Sequence, residues 1–303
     1  MELGLIGLGR MGSNMALRMK YAGHKIIGYA DHAKSVDSFV AEVGADGAYS
    51  LKELVEKLGS PRAIWIMIPA GEAIDQVLNE LLPELDIDDV VIDGGNSYYK
   101  DSIRRAILLK EKGIHFLDVG TSGGVWGLKE GYCLMVGGEK EIVDRLRPIF
   151  EALAPAIDKG WAHVGSNGAG HFVKMVHNGI EYGLMEAYGE GFAILKQKEE
   201  LKLDLHQVAE VWRHGSVIRS WLLDLTADAL AKDTALEDVE PFVEDSGEGR
   251  WTVAEAIDMD VSAPIITLSL LQRLRSRDRS LFSDRMLAIM RNQFGGHKVR
   301  RKE

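Results

Sequence analysis

Along the first half of the chain, short apolar runs alternate with longer stretches of helical period. Residues 3–6, 25–30, 63–68, 90–93 and 114–119 are mostly aliphatic, and most give way to glycine, proline or a polar residue. Short unbroken apolar runs between turn residues are the mark of strands buried on both faces. A segment running to Met19, and others near 72–84, 98–112 and 139–153, space their apolar residues as an amphipathic helix does. This alternation predicts a mostly parallel sheet covered by helices, with ligands beyond the carboxyl ends of its strands.

After Gly165-Ser166-Asn167-Gly168 the pattern turns helical, with segments near 168–197, 205–214, 218–231, 252–260, 264–277 and 283–293. Residues 237–249, acidic and glycine-bearing, read as a loop. The expected architecture is an α/β Rossmann-type N-terminal domain with a mostly parallel sheet, residues 1–165, followed by an all-α C-terminal domain for substrate and oligomerisation, residues 166–303.

Composition narrows the class. The 303 residues are 46% hydrophobic and 27% charged, enough for substantial cores. A formal charge of -10 argues against a general nucleic-acid binder. Cys133 is the single cysteine, which excludes an intrachain disulfide and polycysteine metal sites; a buried, inert thiol is expected. No apolar run reaches the length of a membrane span, and no signal segment opens the chain, so the expectation is a soluble cytoplasmic protein without membrane partners.

The candidate chemistry begins at Gly7-Leu8-Gly9-Arg10-Met11-Gly12. Standing between a strand and a helix, this motif reads as a dinucleotide fingerprint: the glycines permit a tight turn, close approach of a pyrophosphate and close helix packing. The helix N-terminus offers unpaired N–H groups to phosphate. Asp31, at the end of the second strand, suits both ribose hydroxyls of NAD and would repel a 2′-phosphate, so NAD is favoured over NADP. Asp31 also fits a plain helix cap. Pro69-Ala70-Gly71, Gly94-Gly95-Asn96-Ser97 and Gly120-Thr121-Ser122-Gly123-Gly124 close three further strands and are expected along one sheet edge. Any single one of them would read as an ordinary turn.

The stretch from His171 to Tyr182 carries the densest set of reactive side chains. Lys174, His177, Asn178, Glu181 and Tyr182 fall at i, i+3, i+4, i+7 and i+8, on one helix face. A charged surface face would account for that spacing. Against it, Phe172, Val173, Met175, Val176, Ile180 and Leu184 make the rest of the helix apolar, so burial is expected, with the polar stripe lining a cavity. Glycines at 168, 170, 179, 183 and 189 point to close neighbours.

Together these motifs, with Arg291…Phe294-Gly295…His297 near the end, resemble the decarboxylating 6-phosphogluconate dehydrogenase family in its short, NAD-preferring form, over nearly the whole length. The β-hydroxyacid dehydrogenase superfamily shares the first part. The resemblance implies NAD as cofactor, 6-phosphogluconate as substrate, no metal, a place in the pentose phosphate pathway, and a homodimer or homotetramer. Lys174 would be the base at the C3 hydroxyl, its neutral form favoured by burial, and Glu181 the acid that protonates C1 after loss of CO2. His177 and Asn178 would serve catalysis and binding. Gly7, Leu8, Gly9, Arg10, Met11, Gly12, Asp31, Pro69, Ala70 and Asn96 would hold the cofactor. Asn96, Ser122, Gly123, Gly124, His177 and Asn178 would hold the sugar acid, and Tyr182, Arg273 and Arg291 its phosphate, with His297 in the same tail. Arg275 fits the phosphate nearly as well as Arg273.

One departure weighs on this. Ser246 and Glu248 stand where long-chain relatives have lysine and threonine, and a glutamate beside a phosphate repels it. A dehydrogenase of another 3-hydroxy acid, unphosphorylated or like 3-hydroxyisobutyrate, and a non-catalytic NAD-binding sensor are the rival readings. A sensor would have no use for Lys174 and Glu181.

Overall fold

The computed structural model describes residues 1–295 and 298–301, and the side chains of 294 and 295 are left aside. Two compact units divide the chain, Met1–Asn178 and the remainder from Gly179 on.

The first unit alternates strand and helix: β1 (Glu2–Ile6), α1 (Arg10–Tyr21), β2 (Lys25–Tyr29), α2 (Ala33–Val43), β3 (Asp46–Ala48), α3 (Leu51–Glu56), β4 (Ala63–Ile66), α4 (Glu72–Leu81), β5 (Val90–Asp93), α5 (Tyr99–Lys110), β6 (His115–Ser122), α6 (Gly127–Glu130), β7 (Cys133–Gly137), α7 (Lys140–Leu153) and β8 (Trp161–Gly165). One eight-stranded sheet runs in the order β3-β2-β1-β4-β5-β6-β7-β8. Every pairing is parallel except β6 with β7. This is the doubly wound order, which reverses between β1 and β4.

Strand periodicity sorts the core into two layers. Leu3, Leu5, Trp65 and Ile92 enter one buried cluster, while Ile6, Ile64, Ile66 and Val91 enter the other. Alternate residues of one strand point to opposite faces, and both faces are covered, so the strands read as unbroken apolar runs.

The expected strands are all present. The pattern gave no sign of β3, β7 or β8, nor of α2 and α3. β3 is only three residues, Asp-Gly-Ala, and β8 keeps Ala162, His163 and Val164 exposed, so neither carries a buried run. β6 was expected to end at Val119. It continues through Gly120, Thr121 and Ser122 because those residues pair with Met135, Leu134 and Cys133 of β7.

The long helix α8 (Ala169–Gln197) contributes to both units. In the second unit follow α9 (Leu205–Arg213), α10 (Trp221–Lys232), α11 (Glu248–Asp258), α12 (Pro264–Ser276) and α13 (Phe282–Gly295). Asp204 and Ser220 accept hydrogen bonds from Gln207 N–H and Leu223 N–H as side-chain caps of α9 and α10. Leu205, Ala209, Leu223, Ala227 and Leu230 form that unit's buried cluster, with Tyr188, Phe192, Leu195 and Trp212 packed on it. No helix among the described residues is long and apolar enough to cross a membrane.

Candidate active site

The turn between β1 and α1 is built as the motif requires. Gly7 adopts φ +99°, and a Cβ on Gly12 would lie 2.0 Å from the Gly7 carbonyl oxygen. Only glycine fits at 12, and its absence of side chain lets α1 start directly behind the loop. Gly9 caps α1 without a side-chain hydrogen bond, and the first turn holds no acid, so the helix N-terminus keeps its positive end for an anion. Arg10 opens the helix and is exposed, while Leu8 and Met11 are half-buried. A cavity of about 560 Å³ beside the loop is lined by Leu8, Ser13, His32, Lys34, Ser35 and Ser38. These features fit a bound dinucleotide. Asp31 lies just past β2, exposed, and the residue that caps α2 is His32. The cap reading of Asp31 is therefore set aside.

β1, β4, β5 and β6 run parallel, so the loops after them share one edge, as expected. Pro69 and Ala70 are exposed there, and Asn96 is half-buried. Asp93, fully buried, accepts hydrogen bonds from Gly95 N–H at 3.1 Å and the Ser97 hydroxyl at 2.8 Å, which shapes the loop around Asn96.

On the same side α8 lies directly on strand backbone. A Cβ on Gly170 would stand 2.2 Å from the Asp118 carbonyl oxygen and 2.4 Å from that of Met135; a Cβ on Gly120 would meet the Lys174 Cβ at 2.4 Å. The buried carboxylate of Asp118 accepts from Gly168 N–H at 2.6 Å and His171 N–H at 2.9 Å, answering donors at the start of α8. Burial pushes the Asp118 carboxyl above its ordinary range, opposed by the His171 imidazole and by those two N–H groups. His171, also buried, meets the Ser102 hydroxyl through Nδ1 at 2.7 Å. Lys174 follows one turn later. Sequence reasoning passed over Asp118, whose acid in a strand run carried no motif.

Lys174 and Asn178 are buried, and His177 is half-buried with Nδ1 3.1 Å from the Asn178 amide oxygen. Ser122 ends β6, and Gly123 and Gly124 take φ +124° and +50° in the turn beyond it. Cys133 pairs with Ser122 across the sheet and is exposed, against the expectation of a buried thiol, because it is the first residue of β7. Desolvation nonetheless pushes that thiol up, opposed by the charge of Lys174.

In the second unit Glu181 is half-buried and Tyr182 buried. The Arg273 guanidinium stacks 3.5 Å from the Tyr182 ring centroid and donates to the Glu244 carbonyl at 2.9 Å. Arg275 is exposed and pairs with Asp284 at 2.8 Å. The two arginines, of which the resemblance favoured Arg273 only slightly, stand apart here: Arg273 lies with Tyr182. Glu248 is buried, its carboxylate accepting from the Ser246 hydroxyl, and Asp245 is held by Arg250 and Arg277. Arg291 is exposed on α13, and His297 lies outside the described residues.

The expectation of a helix buried around its apolar side is corrected. Val173, Ile180, Leu184 and Met185 are exposed, while the polar positions Lys174, Asn178 and Tyr182 are buried. Four of the five glycines do meet close neighbours, at Ile103, Asp118, Thr252 and Ile265, whereas Gly189 meets none.

Comparison with known proteins shows the family and the fold. The family model for the NAD binding domain of 6-phosphogluconate dehydrogenase matches residues 2–165, and that for the 6-phosphogluconate dehydrogenase C-terminal domain matches residues 170–289. The NAD(+)-dependent, decarboxylating 6-phosphogluconate dehydrogenase of Haloferax volcanii is 46% identical, with all of both chains covered. The NADP(+)-dependent enzyme of Bacillus subtilis is 41% identical over 91% of this chain and 61% of its own. The solved Plasmodium falciparum 6-phosphogluconate dehydrogenase superposes with a TM-score of 0.85 at 30% identity, covering 100% of this chain and 66% of the other.

Proposed function

Because the chain belongs to the 6-phosphogluconate dehydrogenase family, we propose that it oxidises and decarboxylates 6-phospho-D-gluconate to D-ribulose 5-phosphate and CO2 with NAD, in the cytoplasm. The observation that carries the reading is the seat of Lys174: a buried lysine whose stem lies against Gly120 in the strand that ends in Ser122.

Bound NAD supplies the hydride acceptor. Lys174 takes the proton of the C3 hydroxyl as hydride leaves C3, which makes a 3-keto acid. The ammonium so formed donates a hydrogen bond to the new carbonyl oxygen and steadies the negative charge that gathers there. The C1 carboxylate is now β to a ketone, so the C1–C2 bond breaks, CO2 departs, and its electrons form an enediol. Glu181, two helix turns or roughly 10 Å along the axis from Lys174, protonates the carbon that carried CO2. Asn96, Ser122, Gly123, Gly124, His177 and Asn178 hold the sugar acid. Tyr182, Arg273 and Arg291 hold the phosphate, and the Glu248 carboxylate accepts a hydrogen bond from the Ser246 hydroxyl. The exposed apolar residues of α8 support self-association as a homodimer or homotetramer, in which Arg291 and His297 serve a neighbouring copy.

The test is direct. With NAD and 6-phosphogluconate, the purified protein should release NADH and CO2 in equal amounts. Lys174→Met should release neither yet still enhance NADH fluorescence on binding. NADH without CO2 would mean a plain dehydrogenase, and turnover by the variant would move the base elsewhere.

A further inference from the structure

We propose that Arg105 is a positioning residue that fixes the β4–α4 and β5–α5 loops in one frame. The proposal rests on the reading above, which gives those loops Pro69, Ala70 and Asn96 as cofactor and substrate contacts.

Arg105 sits on α5 with no exposed surface. Its fork spans three partners. Nε and Nη2 donate to the Asp75 carboxylate on α4 at 2.9 and 3.2 Å. Nη2 also donates to the carbonyl oxygen of Gly71, the cap of α4, at 3.0 Å. Nη1 reaches the Asp93 carboxylate at 3.3 Å. Asp93 in turn accepts from Gly95 N–H and the Ser97 hydroxyl, on either side of Asn96. One planar cation thus joins the turn after Ala70 to the turn that carries Asn96.

Stability alone is a poor reason for this arrangement. The sheet already has aliphatic layers on both faces, and a buried ion pair adds little over apolar packing. What a rigid guanidinium adds is geometry: five donors in a fixed plane, which a lysine ammonium cannot reproduce. Groups that hold reactants act through position, and an error of about 1 Å costs up to about a hundredfold.

The experiment compares wild type with Arg105→Lys, which keeps the charge and loses the fork, and Asp75→Asn, which loosens the Gly71 side together with the exposed Arg104–Asp75 pair and leaves Asp93 untouched. Kd for NADH is read by fluorescence, KM and kcat with 6-phosphogluconate, and folding by circular dichroism. Arg105→Lys should raise Kd for NADH and KM for 6-phosphogluconate by about tenfold each, with kcat falling less. Asp75→Asn should raise Kd for NADH by a smaller factor. If Arg105→Lys does not fold, Asp75→Asn decides alone. Folded variants with wild-type Kd and KM would overturn the proposal. Should wild type fail to oxidise 6-phosphogluconate, the reaction reading falls, while the NADH affinities still decide the role of Arg105.

Discussion

At the scale of single residues, Asp31 is the point where the proposed function has cofactor choice expressed. It follows β2, is exposed, and leaves the capping of α2 to His32. A carboxylate there gains hydrogen bonds from ribose hydroxyls and repels a 2′-phosphate. A hydrogen bond to a charged group contributes about 1.5–3 kcal/mol. Asp31→Ala should therefore lower kcat/KM for NAD by about tenfold or more and narrow the preference over NADP; an unchanged ratio in parallel assays would refute this role. Asp31 was legible because the glycine motif counts forward to it. Arg273 was not separable from Arg275: two residues apart, either serves the pattern, and only the packing of one guanidinium on Tyr182 tells them apart. Arg105 was invisible for a related reason. An arginine in an amphipathic helix reads as surface, and its partners Asp75 and Asp93 are far away in sequence.

Among the elements, the contact of α8 with β6 and β7 governs where Lys174 stands. Gly170 lies against backbone carbonyls of Asp118 and Met135, which hydrogen-bonded strands hold in place. Gly170→Ala should shift the helix rather than the strands, costing about 1–3 kcal/mol as overpacking does and lowering kcat in the folded protein. Thermal denaturation alongside steady-state kinetics checks it; a variant as stable and as fast as wild type would contradict this seat. The helix itself was legible to within a residue at its start, since its apolar period is long and regular. The extension of β6 to Ser122 was not, because its partner β7 returns antiparallel only after α6, and local pattern does not report such a pairing.

For the whole molecule, charge pairing sets the acid limit of stability. Guanidinium hydrogen bonds, from Arg105 and Arg250 first, hold Asp75 and Asp245 below the ordinary 3.8. A carboxyl lowered on folding stabilises above its unfolded value, and that contribution is lost as pH falls through the folded one. Asp118 has the opposite sign: its raised value favours folding at low pH, and that gain disappears as pH rises through the folded value. Asp75 lies in the first unit and Asp245 in the second, so acid weakens both. Thermal midpoints should hold near neutrality and fall below about pH 4; midpoints unchanged down to pH 3 would show that these pairs contribute little. At this scale the α/β sheet followed by helices was readable from alternation and its end. The exposure of Val173, Ile180 and Leu184 was not, since periodicity reports which residues are apolar and says nothing of what covers them.

The bare-backbone seat beneath Lys174 limits how the enzyme can vary. Side-chain layers tolerate compensating swaps, so their spacing can adjust. Peptide groups in van der Waals contact offer no such slack, and the height of the Lys174 Cβ above the sheet is set by atomic radii. On the proposed reading, substrate preference is therefore free to change at exposed positions such as Ser246, while the reacting end stays put.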